Sequence, residues 1–305
     1  ESNAHRGTSG GALNAAALAS GLAQADDPAQ AAEAARESLR RVWEDVGHWG
    51  ALGELHTQLA RALWGGFGAE WSRSSAWAHA LSGVLSPYQA NPLNLNPLRE
   101  LLERHIDFAA IRRVGGPKVF VSATHVSTGK AVIFHGAQLG AQAVLASACL
   151  PTLFWRVEID GQAYWDGGYS VNPALTPLID SCADPDIVIV QINPLRRDGS
   201  PRNAQDILDR MNELTFNASL LTQVRSIDLV NRLLADGSVP PGRRKLVRLH
   251  RIDGGEEMLG YSASSKSRSD PGLIRELFQL GRDCAGQWLE RNFDALGHRA
   301  TVDLQ

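Results

Sequence analysis

Residues 7–11 read Gly-Thr-Ser-Gly-Gly, a G-x-S-x-G pentapeptide set in the opening run ESNAHRGTSGGALNAAALASG (residues 1–21). In an α/β protein this pattern raises a serine on a sharp strand-to-helix turn. The helical half is plain, because Ala12–Ala19 are good helix formers and Gly21 offers a stop. The strand half is not. Glu1-Ser2-Asn3-Ala4-His5-Arg6 is polar and reads as a poor central strand. A serine hydroxyl attacks only when a base takes its proton and donors hold the resulting oxyanion. Gly7, Gly10 and Gly11 supply the flexible elbow, and the Gly10 N–H at the helix start is one oxyanion donor. Two plainer roles compete: Ser9 as a helix cap, or the glycines as a phosphate-cradling loop.

The base is sought along the rest of the chain. Nine histidines are present. For a Ser-acid-His order His250 and His298 are formal candidates, but His250 sits in Arg248-Leu249-His250-Arg251, which reads as a solvated strand face. His5, on the strand before the elbow, would point away from it. The stronger candidate is Asp166 in Tyr164-Trp165-Asp166-Gly167-Gly168, at the end of a hydrophobic hairpin, where Gly167 and Gly168 allow close approach of backbone and carboxylate. Asp-Gly-Gly is also common turn chemistry, and Asp253-Gly254-Gly255 is a second copy. The motif alone does not separate the two.

Around these motifs the chain alternates strands and helices, which indicates an α/β fold. Asp27 reads as an N-cap with Pro28 first in the helix and Gln30 closing the box, and Leu39, Val42, Trp43 and Val46 share one face. Residues 48–97 read as short helices and loops. Within them Trp64, Phe67, Trp71 and Trp77 form either an interfacial flap or a cover for the core. Lys118–Thr124 and Ala131–Phe134 are strands around a Ser127–Lys130 turn, and Val157–Trp165 is a hairpin turning at Asp160-Gly161. Asp186–Ile192 is a near-continuous apolar run, the pattern of a strand buried on both faces. From Ala204 onward the pattern is mostly helical, with a strand-like stretch at Lys245–His250.

Length and composition set the bounds. At 305 residues, 44% hydrophobic and 21% charged, the chain can bury a large core, and its net charge of −3 gives no global attraction to nucleic acid or anionic membranes. Cys149, Cys182 and Cys284 match no metal spacing and read as reduced thiols of a cytoplasmic protein. No apolar run spans a bilayer, and no signal peptide is visible, although a targeting signal upstream of Glu1 stays open because the sequence does not start with Met.

Several segments together resemble the patatin-like acyl hydrolases: GTSGGALNAAALASG the nucleophile elbow, YWDGGYSVNPAL the Asp-Gly-Gly segment, with SPYQANPLNLNPLRELL, SATHVSTGKAVIF and VLASACLPTLF between or around them. RMNELTFNASLL and LFQLGRDCAGQWL resemble a helical C-terminal extension of a bacterial subgroup. The resemblance implies a three-layer α/β/α core with a mostly parallel central sheet, a catalytic region over 1–195 and a helical extension over 196–305. It also implies a metal-free, cofactor-free Ser-Asp dyad, with Ser9 the nucleophile and Asp166 the base in a desolvated setting. The implied substrate is an acyl lipid, foremost a phospholipid, met at a membrane surface; short-chain hydroxyacyl esters are the rival. The family's oxyanion loop and the strand preceding its elbow are expected outside this sequence, upstream or on a separate N-terminal fragment. Without that loop the alternative is a silent, lipid- or partner-binding protein of the same fold.

Overall fold

A computed structural model describes residues 4–64, 86–92, 94, 96–240, 242–261 and 271–302. In chain order the main elements are β1 (Ala4–Gly7), α1 (Gly10–Leu22), α2 (Pro28–Trp64), α3 (Pro87–Ala90), α4 (Pro97–His105), α5 (Phe108–Ile111), β2 (Lys118–His125) and β3 (Ala131–Phe134). They continue with α6 (Ala141–Ser147), β4 (Val157–Ile159), β5 (Gln162–Asp166), α7 (Thr176–Ser181), β6 (Asp186–Gln191), α8 (Ala204–Ala235), β7 (Arg248–Asp253) and α9 (Pro271–Asn292). The α/β/α architecture stands, with a central sheet, helices packed on it and a helical C-terminal part.

The sheet itself corrects one expectation. It is mixed rather than mostly parallel: β1 pairs with β2 in parallel, but β3, β5 and β4 join in antiparallel fashion. Hairpins cause two of the three antiparallel pairings, β2–β3 and β4–β5. Short turns at 127–130 and 160–161 can join only antiparallel neighbours, and Asp160 and Gly161, both at positive φ, make the second of them. A parallel pair recurs apart from this sheet, where β6 and β7 form a two-stranded sheet.

The polar stretch before the elbow is the second correction. Ala4–Gly7 does form the strand, in register with Lys118–Val121. Backbone pairing holds it, so the hydropathy of its side chains does not decide the matter. The consequence is a desolvated pair: burial lowers the His5 pKa and takes Arg6 down to about 9.

Helix α1 packs its alanines against the sheet, with Ala12, Ala16, Ala17 and Ala19 fully covered, and Val119, Val121 and Ala123 of β2 complete that core with Leu102 and Val144. Gly21 is no stop signal, since α1 runs through it. A Cβ there would lie 2.4 Å from the Ala35 Cα, so it marks the close crossing of α1 and α2. The start of α2 follows its sequence signals, with the Gln30 N–H donating to Asp27 Oδ1 at 2.9 Å. Its length does not: it continues to Trp64, where short helices were expected. Phe67, Trp71 and Trp77 lie outside the described residues.

Strand β6 is a further correction. Ile187 and Ile189 face α8 through Leu220 and Ile227, while Val190 is 79% exposed. A continuous apolar run cannot reveal that its sheet is covered on one side only. His250, expected on a solvated face, is fully buried on β7. Its Nε2 lies 2.8 Å from Asp186 Oδ1, its Nδ1 lies 3.2 Å from Thr301, and it stacks edge-on against Trp288. Asp186 also accepts from Arg248 at 2.9 and 3.0 Å and from the Gly297 N–H. These bonds, Arg248's first, hold its carboxyl well below the usual carboxylate range. A depressed carboxylate pKa stabilises above the unfolded value and is lost as pH falls through the folded one. Asp186→Asn should therefore cost about 3 kcal/mol in urea unfolding at pH 7. That difference from the parent should narrow progressively below about pH 4.

Candidate active site

Strand β1 ends at Gly7, and the chain turns at once into α1. A Cβ on Gly7 would stand 1.9 Å from the Gly11 carbonyl oxygen, so strand and helix cross where only glycine fits. At Gly10 and Gly11 an added Cβ meets nothing within 4 Å among the described residues, and both glycines are exposed there, so those residues leave the ground in front of the serine open. Ser9 itself sits at φ 57°, ψ −128°, a strained conformation for a residue with a side chain. Its side chain makes no capping hydrogen bond, which removes the helix-cap role. Its amide donates to Ser147 Oγ at 3.0 Å. The Gly10 N–H opens α1 and is among the amides that an α-helix leaves without an internal acceptor.

Asp166 ends β5 and is wholly buried. Its Oδ1 accepts from the Gly168 N–H at 2.7 Å, and its own N–H donates to the Cys149 carbonyl at 2.8 Å. Both following glycines are sterically required. A Cβ on Gly167 would lie 2.1 Å from the Ser122 carbonyl oxygen, and one on Gly168 would lie 2.0 Å from the Phe216 ring of α8. Beside the carboxylate, burial pushes the Cys149 thiol up to about 11, with the Asp166 charge adding to it, and the same two causes raise Tyr169.

The strand pairings bring these two segments to one place. Val121 of β2 pairs with Gly7 on one edge and Phe134 on the other. Ala123 pairs with Val132 of β3 and with Asp166. Strand β3 therefore fills one edge of β2, while β1 and β5 share the opposite edge end to end. Running in opposite directions, they stop with their carboxyl ends facing each other, Gly7 level with Val121 and Asp166 level with Ala123. Two strand residues separate those levels, roughly 7 Å.

The other candidates lie elsewhere. Asp253, at the end of β7 in the other sheet, is exposed and paired with Arg251 at 3.0 Å, and its Oδ1 accepts from the Gly255 N–H. His250 is committed to Asp186, and His298 is exposed. His5 Nε2 is buried without a hydrogen-bond partner among the described residues. No histidine there hydrogen-bonds to Ser9, whose Oγ also takes no hydrogen bond among them. Sequence reasoning missed Ser122, Thr124 and Ser147, hydroxyls buried within the quoted landmark segments. Their signal was a polar residue inside an apolar run, which burial obliges to find a partner.

A serine on a strained strand-to-helix elbow thus opens a helix above an α/β sheet, and a buried Asp-Gly-Gly carboxylate ends the facing strand. The family model of the patatin-like phospholipases matches residues 7–179, more than half of the chain, and the chain belongs to that family. Membership places it among lipid acyl hydrolases. No curated protein matches it. Among the described residues no helix is long and apolar enough to cross a membrane.

Proposed function

We propose that the chain is a serine hydrolase of carboxylic esters, with Ser9 as nucleophile, Asp166 as its base and an acyl lipid as substrate. The observation that supports the reading is the meeting of β1 and β5 on one edge of β2, which leaves the two strand ends bearing the Ser9 elbow and Asp166 two residues apart along β2, roughly 7 Å. Asp166 takes the Ser9 proton as Oγ attacks the ester carbonyl. The developing oxyanion is met by the Gly10 N–H, aided by the positive end of α1. The proton passes to the departing alcohol, and water then releases the acid from Ser9 with the same carboxylate as base. Gly7 and Gly11 form the elbow, and Gly167 and Gly168 let the carboxylate segment lie against β2 and α8. The chain needs no metal or cofactor for these steps. Residues 1–195 carry the catalytic part and 196–305 the helical extension.

The open ground before Ser9 suits an ester presented from an aggregate surface, a phospholipid foremost. The test is hydrolysis of p-nitrophenyl butyrate and of dioleoyl phosphatidylcholine vesicles, beside labelling by a fluorophosphonate. Turnover of both with labelling of one serine is expected. Turnover of the butyrate alone moves the substrate to short-chain esters. No turnover and no labelling leaves a binding protein of the same fold and ends the hydrolase reading.

A further inference from the structure

We propose that Ser122, Thr124 and Ser147 are positioning residues that set the separation between the Ser9 elbow and the Asp166 carboxylate. The inference rests on the dyad reading above and adds what holds the dyad in place.

Ser122 and Thr124 are two apart on β2 and so project from the same face. Ser122 Oγ lies 2.6 Å from Thr8 Oγ1, the residue before the nucleophile. Thr124 Oγ1 donates to the Asp166 carbonyl oxygen at 2.7 Å and lies 2.9 Å from Ser170 Oγ just beyond Gly168. One strand thus grips both segments, each through a hydroxyl at the level where that segment ends. The end of α6 repeats the arrangement from another side. Ser147 Oγ accepts from the Ser9 N–H, and two residues later the Cys149 carbonyl accepts from the Asp166 N–H.

Burial gives these bonds their force. Ser122 and Ser147 are fully covered and Thr124 is 5% exposed. A buried hydroxyl is costly unless bonded and is electrostatically stronger when it is. None of the three bonds is spent on the core at large; each ends on Thr8, Ser9 or Asp166. The Ser9 backbone is strained, and strain persists only where neighbours over-determine it. The Ser147 bond to the Ser9 amide is one such restraint, and the Thr8–Ser122 bond is the next. Because β1 and β5 meet without pairing to each other, no backbone ladder joins them directly. Their spacing is set through β2 and α6.

The experiment measures kcat, KM and thermal unfolding on p-nitrophenyl butyrate for Thr124→Val, Thr124→Ser and Ser147→Ala, with Ser9→Ala as reference. Valine keeps the shape of threonine and removes the hydroxyl. A misplacement on the order of 1 Å costs about 100-fold in rate. Thr124→Val and Ser147→Ala should lose about 10- to 100-fold in kcat with KM within about twofold. Thr124→Ser should recover most of that rate. A kcat within twofold of the parent in both hydroxyl-deleted variants overturns the proposal while leaving the dyad intact, provided Ser9→Ala is inactive. Loss of rate that tracks loss of folded protein, with no recovery in Thr124→Ser, also overturns it and makes these residues structural only. Full activity in Ser9→Ala, or no Ser9-dependent labelling in the parent, overturns the dyad reading and the proposal together.

Discussion

Ser9→Ala is expected to reduce ester hydrolysis by about 10⁴-fold or more and to abolish fluorophosphonate labelling, with the unfolding temperature unchanged or raised. The rate loss follows because the neighbouring hydroxyl, that of Thr8, is buried against Ser122 Oγ and does not replace the one removed. The stability result follows because the Ser9 side chain forms no capping hydrogen bond that alanine would forfeit, and its strained backbone stays in place either way. The companion comparison separates the two Asp-Gly-Gly segments. Asp166→Asn keeps shape but removes the base, and a loss of about 10³-fold is expected. Asp253→Asn removes an exposed carboxylate that faces Arg251 in the other sheet, and should leave the rate within twofold. If Asp253→Asn silences the enzyme and Asp166→Asn does not, the assignment of the base is wrong.

Opposite outcomes are expected from alanine at two glycines of the same pentapeptide. Gly7→Ala drives a methyl group into the backbone of Gly11 and Ala12, with a Cβ 1.9 Å from an oxygen that cannot swing aside. Strand and helix must separate, and a loss on the order of 4 kcal/mol or more, enough to deplete soluble folded protein, is the expected result. Gly11→Ala meets nothing within 4 Å among the described residues, inside the first turn of α1. There alanine is the better helix former, and a gain of about 0.5–1 kcal/mol is expected in denaturant unfolding. Equal losses from both substitutions would show that the elbow is held by something other than the strand–helix crossing.

What could be read in the sequence was local. The Asp27 cap, the Asp160-Gly161 turn and the alanine-rich helix after Ser9 each depend on residues within a few positions, and the elbow and the Asp-Gly-Gly segment carry their own steric signatures. What could not be read depends on register. Ala4–Gly7 becomes a strand because its backbone pairs with β2 more than a hundred residues later. His250 is buried because Asp186 waits for it on the neighbouring strand, and no local feature separates it from a solvated histidine. Val190 looks as apolar as Ile189, yet only one of them finds α8. The same limit hid Thr124 and Ser147, whose partners lie 42 and 138 residues away. The two motifs that carry the proposed site were visible in the sequence, and the scaffold that brings their strands to one edge of β2 was not.

The contact of Phe216 with Gly168 has a consequence for how this protein can vary. The aromatic ring fills the volume that any side chain at 168 would claim, so the two positions form one steric unit although one belongs to the matched region and the other lies beyond it. A methyl group gained at 168 calls for a smaller residue at 216, and a smaller residue at 216 leaves a void behind the carboxylate that a larger one at 168 can fill. Gly168→Ala alone should therefore destabilise the fold, and a smaller residue at 216 should relieve that loss.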